Sequence, residues 1–91
     1  MIRKYRKKPV EIEAVQFDDT IETWKLLTEW SDGAVCDYVE PNETPTGRAI
    51  CYIETLEGKM KCDEGSYVIK GVNGEFYACT EDVFDKTYEE V

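Results

Sequence analysis

The sequence predicts a small α+β protein: one antiparallel sheet of about five or six strands, one main helix packed on it, and a short C-terminal helix. Three observations predict this class. Several short runs alternate apolar and polar residues, which is typical of strands with one buried face. The stretch 21–30 instead repeats apolar residues at every third position, as a helix does. Asn73-Gly74 is a turn signal between two alternating runs and indicates a hairpin.

The length and composition of the chain favour one folded domain. The 91 residues are 42% hydrophobic and include three Phe, two Trp and six Tyr. A chain of this size buries about 60–65% of its unfolded surface, which is enough for one modest core. We therefore predict a basic arm over 1–8 and a single α+β domain over 9–91.

The first predicted strand covers 9–17. Its apolar residues alternate with Glu11 and Glu13, which indicates one solvent-facing side. The alternation then changes phase, because Val15 and Phe17 are both apolar. This change predicts a bulge, or burial on both faces, at the end of the strand.

The helix predicted over 21–30 has recognisable ends. Asp19 is expected to be its N-cap, with Glu22 reaching back in a capping box. Asp32-Gly33 is expected to end it in the left-handed conformation. The two tryptophans lie on one side of this helix, and we expect them to dock it on the sheet rather than stack on a ligand.

The remaining strands are predicted to pair locally. A strand is expected over 34–40, followed by a turn-rich loop with two prolines over 41–47. Runs at 48–55 and 59–62 are expected to form a hairpin. The strands from 48 to 79 are then predicted to form one antiparallel C-terminal meander.

The last hairpin is predicted to have a two-residue type I′ turn, because Asn73 and Gly74 both tolerate positive φ. This register places Lys70 opposite Tyr77. It also puts one apolar set on the face that the helix is expected to cover: Tyr67, Ile69, Phe76 and Ala78. Thr80 is then expected to cap the short C-terminal helix.

The formal net charge of −9 is unevenly distributed. Five basic residues lie in the arm: Arg3, Lys4, Arg6, Lys7 and Lys8. Six basic and twenty acidic residues remain, a net charge of −14 for the rest of the chain. Such a body repels duplex nucleic acid and anionic membranes and is attracted to basic protein surfaces. Its charge also has a purely structural explanation, since it keeps a small protein soluble.

No catalytic or metal site is predicted. The chain has no histidine, and its cysteines at 36, 51, 62 and 79 lack the close spacing of zinc ligands. Without histidine, a Ser or Cys nucleophile lacks its usual base, so we expect neither an enzyme nor a cofactor. Cys51 and Cys62 could bridge across a hairpin, but we expect reduced thiols, because the sequence shows no signal peptide or membrane segment.

The two ends of the chain carry a joint pattern. The first is YRKKPVEIEAVQF over 5–17, and the second is GSYVIKGVNGEFY over 65–77, followed by Cys79 and by DVFDKTYE over 82–89. Together they resemble a family of small proteins encoded in tailed phages and prophages. That family typically has Pro-Gly-Asp at 64–66, where this chain has Glu-Gly-Ser, and a proline at Ala78. The resemblance implies a phage origin and a location in the host cytoplasm, and it implies no particular chemistry.

These observations give three functional hypotheses. The first is a non-enzymatic counter-defence inhibitor that binds a host protein through an acidic surface. Its candidate contact residues are Asp37, Glu40, Glu43, Glu54 and Glu57. The second is a sponge for a host immune signalling nucleotide, bound at an oligomer interface by basic and stacking side chains. Its candidates are Arg6, Lys7, Lys8, Arg48 and Lys70, with Trp24, Tyr67 and Tyr77. The third is a structural or accessory phage protein. For Lys70, an ion pair with Glu75 across the hairpin is the structural alternative.

Overall fold

The computed structural model describes residues 1–6 and 10–91. These residues confirm the predicted α+β class. They form two helices and six strands, in the order β1 (Glu13–Gln16), α1 (Ile21–Trp30), β2 (Val35–Val39), β3 (Ile50–Thr55), β4 (Gly58–Asp63), β5 (Tyr67–Lys70), β6 (Phe76–Cys79) and α2 (Glu81–Thr87). A short 3₁₀ turn over Pro41–Glu43 lies in the predicted loop. Residues 1–6 of the predicted arm are exposed and have no regular secondary structure. Lys7, Lys8 and the start of the predicted first strand at Pro9 lie outside the described residues.

The strands form two antiparallel sheets rather than the single sheet predicted. The first sheet has the order β1-β5-β6, and the second has the order β2-β3-β4. The predicted meander is wrong, because β5 pairs with β1 and not with β4. The physical reason is the burial of β5 on both faces: Val68 and Ile69 are consecutive and both fully buried. In the separate sheet Val68 faces the core, and Ile69 lies on the outer face beside Tyr67, whose ring stacks on Phe84 of α2.

The β5–β6 hairpin has a three-residue loop, so the predicted two-residue turn is wrong. The Gly71 N–H donates to the Glu75 carbonyl at 2.7 Å, and the loop is Val72-Asn73-Gly74. Only Gly74 of the loop has positive φ, at 83°. A type I turn followed by a left-handed glycine is a usual three-residue hairpin loop. The Glu75 carboxylate supports it by accepting the Asn73 N–H at 3.1 Å.

This one-residue shift changes which side chains share a face of the first sheet. Lys70 lies opposite Phe76, and Ile69 lies opposite Tyr77. The apolar set predicted for one face is therefore divided. Phe76 and Ala78 face the core together with Val68, whereas Tyr67 and Ile69 share the opposite face with Tyr77.

The core lies between the two sheets and α1. Its fully buried members come from both sheets and from α1: Phe17, Leu27, Val35, Ala49, Cys51, Ile53, Cys62 and Val68. Trp30 packs edge-on to Phe76 of the first sheet, with ring centroids 5.1 Å apart. Trp24 packs on Tyr38 of the second sheet at 5.9 Å. The tryptophans thus dock α1 on the strands as predicted, one on each sheet.

The N-terminal end of α1 differs from the prediction. Thr20 is the N-cap, and its Oγ1 accepts the Thr23 N–H at 3.2 Å. Asp19 cannot take that role because its φ is 69°, whereas an N-cap has extended backbone. The predicted stop is confirmed, since Asp32 and Gly33 both have positive φ after the last turn. Within the described residues, neither helix has the length and apolar character needed to cross a membrane.

Candidate functional site: an aromatic groove with an acidic rim

The outer face of the first sheet, away from the core, carries a groove of about 1150 Å³. One wall is the chain leading into β1, from Val10 to Ala14. The opposite wall is α2 with the C-terminal residues, and the β5–β6 hairpin forms the base. We call this site the aromatic groove. Its four aromatic residues are Tyr67, Tyr77, Phe84 and Tyr88.

The aromatic side chains hold α2 against the sheet. Phe84 and Tyr88 are four residues apart, so they lie on the same side of the chain as it leaves α2. Phe84 stacks on Tyr67 of β5, with ring centroids 3.8 Å apart and planes 7° apart. Phe84 also contacts Tyr88, at 5.0 Å between centroids. The result is an ordered aromatic surface next to the fully buried Ile69.

The rim of the groove is acidic. Four exposed glutamates line it: Glu11 from the first wall, Glu75 from the hairpin, and Glu89 and Glu90 from the C-terminal end. Among the described residues, no lysine or arginine lines the groove. An apolar cleft lined by charges of one sign concentrates the opposite charge. The groove therefore favours a cationic ligand with an apolar part and repels phosphate.

Tyr77 reports on the packing of the groove through its pKa. The pKa of Tyr77 is raised from 10.0 to about 12. Burial is the main cause of this rise, and a hydrogen bond with Tyr88 and the nearby charge of Glu75 add to it. The folded state thus holds this proton more tightly than the unfolded chain does. The contribution of protonated Tyr77 to the free energy of unfolding is fully present below pH 10 and is lost as the pH rises to about 12.

Replacing Tyr77 by phenylalanine should remove a late step from the alkaline titration. We expect the Tyr77→Phe variant to lose one tyrosinate from the late, high-pH part of the absorbance titration, where Tyr38, whose pKa is also raised by burial, still titrates. The variant's free energy of unfolding should also fall less steeply between about pH 10 and pH 12. The matched control is Tyr52→Phe on the second sheet, away from the groove, which should leave the late titration unchanged. A late titration of the same amplitude in Tyr77→Phe as in wild type would contradict the burial of Tyr77 in the groove.

The five acidic residues predicted to contact a protein do not form one surface. Asp37 and Glu54 lie on the outer face of the second sheet, next to Lys59. Lys59 forms an ion pair with Asp37 and is the cross-strand partner of Glu54. The other three lie at opposite ends of that sheet: Glu57 in the β3–β4 turn, and Glu40 and Glu43 after the end of β2. The middle of this sheet therefore has mixed charge.

The residues predicted for a nucleotide are also separated. Arg48 forms an ion pair with Glu64, and Trp24 packs on Tyr38 beside the core. Arg6 belongs to the exposed arm, and Lys7 and Lys8 lie outside the described residues. Lys70 shares a strand face with Phe76 and not with Glu75, so its predicted ion pair with Glu75 is wrong. Of the members of this set that the structure describes, only Tyr67 and Tyr77 line the aromatic groove, where the rim is acidic.

The C-terminal half of the groove was not predicted from the sequence. Tyr88, Glu89 and Glu90 were not among the candidate contact residues. A signal was present in the sequence, because Tyr67, Val68 and Ile69 are three consecutive apolar residues. Such a run indicates a strand covered on both faces. Val83, Phe84 and Tyr88 follow Thr80 and were available to cover the second face.

The two buried cysteines lie side by side in the second sheet. All four cysteines are free, and Cys51 lies directly opposite Cys62. A hydrogen bond with Cys62 and burial raise the pKa of the Cys51 thiol, which keeps it protonated. In the part of the chain that the structure describes, no three Cys, Asp or Glu side chains are placed to hold a metal ion.

Comparisons with protein-family models, curated proteins and solved structures find no match. The resemblance of the two ends to phage proteins therefore stays a prediction. The geometry and charge of the aromatic groove carry the functional inference.

Proposed function

We propose that this chain is a non-enzymatic binding protein whose aromatic groove holds a basic segment of a partner protein. The observation that supports this is the combination of four aromatic side chains with four glutamates and, among the described residues, no basic side chain. A peptide that alternates lysine or arginine with an apolar residue matches both features. Its apolar side chain would lie on the aromatic surface, and its cations would reach the rim.

The two parts of the groove would contribute differently to binding. Burying one large apolar or aromatic side chain of the partner contributes about 1.5–3 kcal/mol. Each exposed ion pair at the rim adds only about 0.2–1 kcal/mol. The aromatic surface would therefore supply most of the affinity. The rim would select basic segments and speed their association. The net charge of −14 on the chain outside the basic arm would add long-range attraction.

The proposed biological role is counter-defence in the host cytoplasm. It rests on the resemblance of the two ends to phage proteins and on the acidic body, which suits a basic surface of a host protein. Occupying such a surface would block its normal contacts. In this proposal the contact site is the aromatic groove, and the acidic residues of the second sheet contribute only long-range attraction.

A titration with a labelled peptide tests the proposal. The probe is a short fluorescent peptide rich in lysine and arginine around a central tyrosine, and the control peptide has glutamate in place of each basic residue. We expect micromolar binding of the basic peptide only. In backbone NMR spectra, the shifts should concentrate at Tyr67, Tyr77, Phe84 and Tyr88. Shifts centred on Asp37 and Glu54 would overturn the groove as the site, and equal binding of both peptides would overturn the selectivity.

A further inference from the structure

We infer that the basic arm of a second copy of this chain occupies the aromatic groove, giving a reciprocal homodimer that competes with partner binding. This inference rests on the proposed function, because it assigns to the same site an occupant that regulates it. The groove fits a segment that alternates basic side chains with apolar ones. The chain itself carries one such segment, at its N-terminus.

The arm has the composition that the groove requires. Its basic residues alternate with large apolar ones: Met1, Ile2 and Tyr5 stand among Arg3, Lys4 and Arg6. The exposed fractions of the three apolar side chains are 106%, 99% and 89%. Three such side chains on so short a segment are available to contact another surface. Tyr5 and Ile2 are suited to the aromatic surface, and the flanking cations are suited to the rim.

The position of the arm favours exchange between two chains. The arm leads directly into Val10, which together with Glu11 and Ile12 forms one wall of the groove. Residues 1–6 do not line the groove of their own chain. Nine extended residues reach at most about 30 Å, which is enough to enter a groove on a neighbouring small domain. Because each chain offers one arm and one groove, two copies close into a symmetric dimer.

Charge gives this dimer its specificity. Each arm carries five basic residues, and each groove presents four glutamates. The two acidic bodies repel each other, so the arms are the part of the chain that can offset this repulsion. An external basic segment would compete with the arm for the same glutamates. The homodimer would thereby raise the concentration of partner that is needed to occupy the groove.

A charge-swap experiment on the full chain tests the inference, with mass measured by sedimentation equilibrium at about 0.1 M salt. Wild type is expected at twice the chain mass. The arm-reversed variant, Arg3→Glu/Lys4→Glu/Arg6→Glu, and the rim-reversed variant, Glu11→Lys/Glu89→Lys/Glu90→Lys, should each be monomeric. Their equimolar mixture should form a 1:1 heterodimer, because the reversed arm of one chain then meets the reversed rim of the other, and the natural arm meets the natural rim. The control Glu40→Lys/Glu43→Lys/Glu57→Lys adds the same charge away from the groove and should remain dimeric.

Each contrary outcome points to a different failure. A monomeric wild type whose groove binds the fluorescent basic peptide overturns the arm exchange and leaves the proposed function standing. A dimer that survives both reversals also overturns the exchange, because its contact then lies elsewhere. A dimer that follows the charge swap, but from which the basic peptide cannot displace the arm, supports the exchange and overturns the proposed function.

Discussion

Replacing Phe17 by alanine should lower the free energy of unfolding by about 3–5 kcal/mol. Phe17 is the largest fully buried side chain among the described residues. Its ring packs edge-on to Tyr38 of the second sheet at 6.3 Å. Its backbone bonds to the turn before β5, donating to Ser66 and accepting from Gly65 at 2.9 and 2.7 Å. The substitution therefore leaves a cavity where the two sheets meet.

The loss is large relative to the whole stability of such a chain, which is about 5–14 kcal/mol at this length. Urea denaturation followed by circular dichroism measures it. Phe17→Leu is the matched control, since it keeps most of the volume and should lose less than about 1.5 kcal/mol. If Phe17→Ala unfolds within 1 kcal/mol of wild type, on the order of the error of such measurements, Phe17 does not join the two sheets.

Reversing the charge of the rim should weaken binding of the basic peptide about 10- to 100-fold. The variant Glu11→Lys/Glu89→Lys/Glu90→Lys removes three attractive contacts and adds three repulsive ones, a change of about 1.4–2.8 kcal/mol. All three side chains are exposed, so the fold should be kept. Fluorescence anisotropy at about 0.1 M salt measures the affinity, and the loss should shrink as salt is added.

The control for this variant is Glu40→Lys/Glu43→Lys/Glu57→Lys, which makes the same change in net charge on the second sheet. We expect it to weaken the peptide less than about 3-fold, through long-range attraction alone. Equal losses in the two variants would mean that net charge and not the groove attracts the peptide. A larger loss of affinity in the control would mean that the acidic residues first predicted from the sequence form the contact site.

Local sequence patterns predicted the elements well because each element depends on nearby residues. The spacing of Ile21, Trp24, Leu27 and Trp30 placed α1, and alternation placed the strands of the second sheet. The pairing of strands was predicted less well. β1 and β5 are joined across about fifty residues of chain, and no local signal in 13–16 names β5 as its partner. The hairpin register was predicted one residue out, and the Glu75 carboxylate supports the three-residue loop that the structure has.

The candidate site was the least predictable part, for the same reason. The groove is built from three segments that are distant in sequence: the chain before β1, the β5–β6 hairpin and the C-terminal residues. Charge counting led to the hypothesis of a basic partner, and it selected acidic residues in and next to the second sheet. It could not show that Lys59 neutralises Asp37, since their pairing depends on how β2 and β4 lie across β3.

The most direct test of the groove as a binding site is an isotope-filtered nuclear Overhauser experiment on the labelled chain with the unlabelled basic peptide. It detects protons of the two molecules that lie within about 5 Å, a distance at which ring contacts form. We expect cross-peaks from the central tyrosine of the peptide to the rings of Tyr67, Phe84 and Tyr88. Cross-peaks to Tyr52 or Cys36 on the second sheet instead, with none to those three rings, would contradict the account.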